Sequence, residues 1–211
     1  MQQIKRSAQA GFAEKQDILI SVTPIESGIT VELESNIQKQ YGTHIVALIR
    51  ETIIDAGFDG VHVVAQDQGA WDYTIKARVL TALHRGFEET NSIMAKSQSA
   101  DTDTLSRNSN MLSCNPSMVS SDFSDTVRVD SVNPLTETAK ARLARSMMFV
   151  PGNTPKMLNS ADVYGADSLM FDIEDSIFVD EKDAARLLVA EMLKSIPFTS
   201  ETVVRINHPT Q

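Results

Sequence analysis

Three apolar runs in the last third of the chain each break off into a cluster of polar residues, and this pattern constrains the fold more than any other. Ser146-Met147-Met148-Phe149-Val150 runs into Pro151-Gly152-Asn153, Ser168-Leu169-Met170-Phe171 into Asp172-Ile173-Glu174-Asp175, and Val203-Val204 into Arg205-Ile206-Asn207. Two helix-like segments lie between them. Thr154 is a suitable N-cap with Pro155 at the first helical position, and Gly165 closes that helix after Tyr164. Asp180 is expected to cap the next helix, whose apolar positions Ala184, Leu187, Leu188 and Met192 share one stripe before Pro197 ends it. The order is therefore β-α-β-α-β. Parallel strands joined by helices present their carboxyl ends along one rim, where ligands are held.

Residues 1–86 read as a compact α+β unit. Ile18, Ile20 and Val22 alternate with Leu19, Ser21 and Thr23, and Ile29, Val31 and Leu33 alternate with Thr30, Glu32 and Glu34, the two-residue period of strands. Pro24 to Gly28 makes the turn between them. Ser35 with Gln38 has the form of a capping box, and Ile37, Tyr41, Ile45, Leu48 and Thr52 recur at helical spacing until Gly57. A third strand is predicted at Val61 to Ala65. After the Asp67-Gln68-Gly69 turn, Trp71, Tyr73 and Ile75 fall on one face, and a helix is predicted from Ala77 to Arg85.

Residues 87–139 are dominated by Ser, Thr, Asn and Asp, with large apolar residues scattered without period. Such a segment cannot bury enough apolar area to offset the entropy of ordering it, so a disordered linker is expected. The second module then begins at about residue 140. The modules share no internal repeat.

A formal net charge of -9 argues against a nucleic-acid partner, which needs a basic face. Cys114 is the only cysteine, so no internal disulfide forms, and it reads as a surface thiol. The start of the chain lacks the apolar core of a signal peptide, and no run long enough to span a membrane is present; a cytoplasmic address is expected.

The rim holds the residues that can carry chemistry. Pro151-Gly152-Asn153 lies between a strand and a helix start, where free backbone amides attract anions, although one glycine makes neither a P-loop nor a dinucleotide fingerprint. Asp172, Glu174 and Asp175 place three carboxylates at a strand end, suited to a hard cation or to acid-base work, or else to capping a turn and facing water. Arg205 is suited to clamp a carboxylate substrate, or else to bridge Glu201 or the acidic loop. His44, His62, His84 and His208 lack metal-ligand spacing and read as structural. No Gly-x-Ser-x-Gly elbow is present.

From Met147 to Asn153, Tyr164 to Ser176, Glu181 to Arg186 and Val203 to Asn207, the ordered motifs resemble the start of the citrate lyase β subunit, of the HpcH/HpaI aldolase/citrate lyase family. Ala10-Gly11-Phe12-Ala13-Glu14-Lys15-Gln16-Asp17, Lys39-Gln40-Tyr41-Gly42 and Asp67-Gln68-Gly69-Ala70-Trp71-Asp72, followed by the Ala77-Arg78-Val79 helix, resemble the acyl carrier (γ) subunit of the same complex. The resemblance implies a carrier domain, a linker and the first βαβαβ part of a TIM-type (β/α)8 barrel. A full barrel needs roughly 250 residues, and residues 140–211 supply only its beginning.

By the same resemblance, citrate would be split to oxaloacetate and acetate through a carrier-bound citryl thioester, with citrate lyase α and β subunits as partners. Arg205 matches the family's substrate-binding arginine, and Glu174 with Asp175 match an acidic pair near its active site. The family's Mg2+ ligands fall outside the matched region. Its phosphoribosyl-dephospho-CoA arm is borne by a serine where Lys15 stands, and a lysine cannot form that phosphodiester; Ser7 and Ser21 are off the motif. Three roles follow as alternatives: a lyase component whose activity requires the rest of a barrel, a non-catalytic carrier or assembly module, or an inactive truncated product. The open edges of a partial barrel predict rapid proteolysis of residues 140–211, leaving a fragment that ends near residue 86.

Overall fold

The computed structural model describes residues 2–87 and 144–207. Phe87, expected to open the linker, is helical; residues 88–139 of the expected linker, Cys114 and His208 lie outside the described residues. Both described segments fall in one compact unit.

The first segment runs β1 (Ala8–Ala10), β2 (Ile18–Pro24), β3 (Ile29–Ser35), α1 (Gln38–Asp55), β4 (Val61–Asp67) and α2 (Asp72–Phe87). Its four strands lie in the order β1-β2-β4-β3. Pro24 to Gly28 joins β2 to β3 in sequence, yet the two are not neighbours. β4 enters between them, antiparallel to β2 and parallel to β3. A parallel pair needs a crossover connection, and α1 supplies it. Alternation along β2 and β4 buries Ile18, Ile20, Val22, Val61, Val63 and Ala65 on one face, under α1 and α2. The stripe of α1 runs through Ile45, Leu48, Ile49, Thr52 and Ile53, while Tyr41 is 54% exposed and stands off it. Gly57 closes α1 with a φ of 76°, as the sequence predicts.

Three local expectations are corrected. Ser35 forms no capping box; its hydroxyl accepts from the Ile37 N–H at 3.1 Å and donates to Asp67 at 2.6 Å. α2 starts at Asp72 rather than Ala77, so Tyr73 and Ile75 are buried helical residues and Trp71 is left exposed before it. Asp180 lies inside a short 3-10 turn (Val179–Glu181), and the N-cap of the following helix is Glu181.

The second segment runs β5 (Met147–Pro151), α3 (Pro155–Ser160), a 3-10 turn closed by Gly165, β6 (Ser168–Asp172), α4 (Lys182–Ser195) and β7 (Glu201–Arg205). The strands are parallel, in the order β5-β6-β7. Val150, Leu169 and Phe171 pack with Leu158, Leu188 and Met192 beneath the helices. Each such fully buried apolar side chain contributes about 1.5–3 kcal/mol. On the opposite face Met147 and Phe149 are about half exposed, at 49% and 56%. β5 and β7 each have one strand neighbour among the described residues.

α2 carries Ile75, Val79, Ala82 and Leu83 into the first core and Tyr73 and Ala77 into the second, so one helix serves both. The expected rapid loss of residues 140–211 to protease is to be tested against this packing of α2 on the described part of that segment.

Candidate functional site

The acidic rim forms where β6 and β7 end side by side, with Asp172 in register with Arg205. Asp172 is buried, and its carboxylate accepts from the backbone N–H of Glu174 at 2.9 Å and of Ser176 at 3.3 Å. Burial pushes its pKa up, but these bonds, the Ser176 hydroxyl and Arg205 outweigh it and hold it below the ordinary carboxylate value. Arg205 makes close ion pairs with Glu174 and Asp175 and lies 3.7 Å from Asp172. The bond to Asp175, chiefly, raises its pKa. Of the two roles open to Arg205 in the sequence, the structure displays the bridge to the acidic loop. A substrate carboxylate would have to exchange with Asp175 or Glu174.

Within Pro151-Gly152-Asn153 the glycine amide is not free. The Gly152 N–H donates to the Asp172 carbonyl at 2.9 Å. A side chain at 152 would meet Ile173 at 2.7 Å and Asp172 at 3.0 Å, so the glycine permits a close approach of chain to chain.

Lys15 lies exposed in the loop between β1 and β2. That loop is pinned from beneath: Asp17, 3% exposed, takes both Nε and Nη2 of Arg78, at 3.0 and 2.7 Å, and Arg78 is fully buried. The Gln16 N–H donates to the Gln68 carbonyl at 3.0 Å and the Gln68 N–H to the Asp17 carbonyl at 3.1 Å, which ties the loop to the turn before α2. Arg78 also donates to the Asn153 carbonyl at 3.2 Å, which ties the Lys15 loop to the turn after β5. Sequence reasoning missed this pair, although Arg78 falls on an apolar stripe with Ile75 and Ala82, the signal that an arginine has a buried partner.

Further along α2, Arg85 grips the second segment. Nε and Nη2 donate to the two Asp183 oxygens at 2.7 and 2.6 Å, Nη2 to the Asp180 carbonyl at 2.7 Å, and Nη1 to the Gln9 carbonyl at 3.0 Å. The Tyr73 hydroxyl donates to Asn159 at 2.6 Å, and burial pushes its pKa up to about 12. His44 pairs with Asp72 at 3.0 Å and His62 with Thr30 at 3.0 Å, both structural contacts.

Acid is expected to loosen the second segment. Asp162 accepts from the hydroxyls of Ser200 and Thr199 and from both backbone N–H groups, which hold its pKa at about 2. For Asp183, burial acts upward, but the Arg85 bonds prevail and lower it. A carboxyl with a depressed folded pKa stabilises above its unfolded value, about 3.9, and loses that contribution as pH falls through the folded value. The melting temperature should therefore fall between about pH 4 and pH 2, less steeply in Asp162→Asn. A flat profile through that window contradicts the assignment.

Comparison with known proteins follows the same division. Residues 5–86 match the ACP family model, described as malonate decarboxylase delta subunit (MdcD). The citrate lyase acyl carrier protein of Halothermothrix orenii is 48% identical over 83 residues, 39% of this chain and 88% of that protein. The chain belongs to the citrate lyase acyl carrier protein family. A second member, from Streptococcus uberis, is 48% identical over 82 residues, covering 39% of this chain and 81% of its own. Residues 145–211 match the HpcH/HpaI aldolase/citrate lyase family. There the citrate lyase subunit beta of Leuconostoc mesenteroides subsp. cremoris is 57% identical over 67 residues, 31% of this chain. The chain spans only 22% of that subunit's length. No solved structure matches.

Lys15, at the position that the resemblance implies for the prosthetic-group arm, presents an exposed amine. Among the described residues no group of three or more His, Cys, Asp or Glu side chains is placed to hold a metal ion, and the rim carboxylates are engaged by Arg205 and backbone amides. No described helix is long and apolar enough to cross a membrane.

Proposed function

We propose that this chain is a cytoplasmic component of a citrate lyase complex, in which residues 1–86 supply an acyl-carrier-like module, 87–139 a linker, and 140–211 the N-terminal part of a β-type (β/α)8 barrel. One observation carries the proposal: two successive segments match two subunits of one complex, and α2 joins their described parts in a single unit. In that setting the α and β subunits are its partners and the citryl and acetyl thioesters its context. Arg205 pairs a substrate carboxylate when it exchanges with Asp175, and Glu174 and Asp175 are the acid-base candidates. Turnover belongs to a complete barrel.

Lys15 favours the second reading, a non-catalytic carrier or assembly module without a covalent arm. Intact-mass spectrometry of chain made alongside the arm-attaching enzymes tests it. The unmodified mass is expected for the natural sequence, and a gain of phosphoribosyl-dephospho-CoA for Lys15→Ser. That added mass on the natural chain would overturn the assembly reading.

A further inference from the structure

β3 lies at one edge of the first sheet: among the described residues it pairs with β4 alone, over its full seven residues. In a parallel pair alternate residues turn both backbone groups toward the neighbour, and the rest turn theirs away. The Val61 N–H donates to the Gly28 carbonyl at 3.0 Å, which fixes the phase. Gly28, Thr30, Glu32 and Glu34 therefore face β4, and Ile29, Val31 and Leu33 direct their N–H and carbonyl groups off the sheet. The Leu33 carbonyl, to which the Gln38 side chain donates at 3.3 Å, agrees with this phase. The other outward groups meet no partner among the described residues.

A groove of about 490 Å3 runs beside this edge, lined by Val31 and Leu33 of β3 and by Gln38, Gly42, Thr43 and Val46 of α1. At position 42 a Cβ would stand 3.0 Å from Gln38 and 3.8 Å from Leu33, so the glycine leaves the groove open there. The opposite face of β3 carries Thr30, Glu32 and Glu34, all exposed. Edge and groove together have the form that β-strand addition uses, in which backbone bonds give affinity and alternate side chains give specificity.

We propose that the β3 edge docks an extended peptide segment of a partner protein, with apolar side chains at alternate positions and lysine or arginine between them. An added strand turns its side chains alternately to the two faces of the sheet. One set enters the groove against Val31, Leu33 and Val46, and the other lies beside Glu32 and Glu34, where cations are complementary. The same carboxylates disfavour a second copy of this chain, since pairing β3 with β3 brings like charges together. The net charge of -9 acts in the same direction. The inference goes beyond the lyase reading and stands if that reading fails, because it is read out as peptide binding and not as recovery of a lyase subunit.

The test is an NMR titration of the 15N-labelled full chain with a capped heptapeptide alternating lysine and valine, beside the same peptide with glutamate in place of lysine. Saturable shifts from the lysine peptide are expected at Ile29, Val31, Leu33, Gly42 and Val46. Val31→Pro removes an outward donor and no bond to β4, so the ladder persists while affinity falls about tenfold. Glu32→Lys combined with Glu34→Lys should exchange the preference, the glutamate peptide then binding more tightly. Absence of saturable shifts, shifts scattered over carboxylates elsewhere, or equal binding of the two peptides to the natural chain would overturn the proposal. So would undiminished affinity in Val31→Pro, or a dimer of the natural chain that this substitution dissociates, which assigns the edge to a second copy.

Discussion

Replacing Arg78 by methionine is expected to cost about 3–5 kcal/mol of folding stability, because it leaves the Asp17 carboxylate buried and unpaired. Against a typical total of about 5–15 kcal/mol, that loss brings the chain close to unfolding. The effect comes from the orphaned charge more than from the pair itself. The double variant Asp17→Asn, Arg78→Met should therefore recover part of the loss, since neither side then carries a buried charge. Urea denaturation of the two single variants and the double variant measures the coupling. A single-variant loss below about 1 kcal/mol would mean that the pair is solvated, against its near-complete burial.

The second large effect belongs to Arg85. Arg85→Ala removes a two-pronged bond to Asp183 together with donors to Asp180 and Gln9, and hydrogen bonds to charged groups are worth about 1.5–3 kcal/mol each. Of these contacts only the bond to Gln9 lies within the first segment, whose core is otherwise apolar, whereas the second core reaches α2 through Tyr73 and Ala77. Limited proteolysis of the full chain should accordingly cut residues 144–207 faster in the variant while a fragment containing residues 2–87 persists. Cleavage of that segment at the natural chain's rate would show that the open sheet holds itself together.

Much of the fold is legible locally. The period of two at Ile18, Ile20 and Val22 places β2, and Pro155 and Gly165 bracket the helical stretch after β5, because these residues act through their own backbone. Strand order is not legible, since the position of β4 between β2 and β3 depends on long-range pairing that no turn residue encodes. β1 spans only Ala8–Ala10, too short to show a period. The start of α2 is obscured because Trp71, Tyr73 and Ile75 imitate strand alternation in its first turn.

The candidate site divides in the same way. The carboxylates and Arg205 are visible at the strand ends, but their mutual pairing is a property of two parallel strands in register. Arg85 gives no local sign of its role, because its partners Asp180 and Asp183 lie 95 and 98 residues away in sequence. The β-type segment resembles an isolated fragment until α2 is seen to pack into its core.

Membership of the complex is tested most directly by co-expressing the tagged full chain with an untagged citrate lyase α subunit and measuring the mass of the purified species by light scattering. The account predicts one species containing both chains, formed with Lys15 unmodified. Elution of this chain free of the α subunit, from a preparation in which a citrate lyase acyl carrier protein does recover it, would contradict the account.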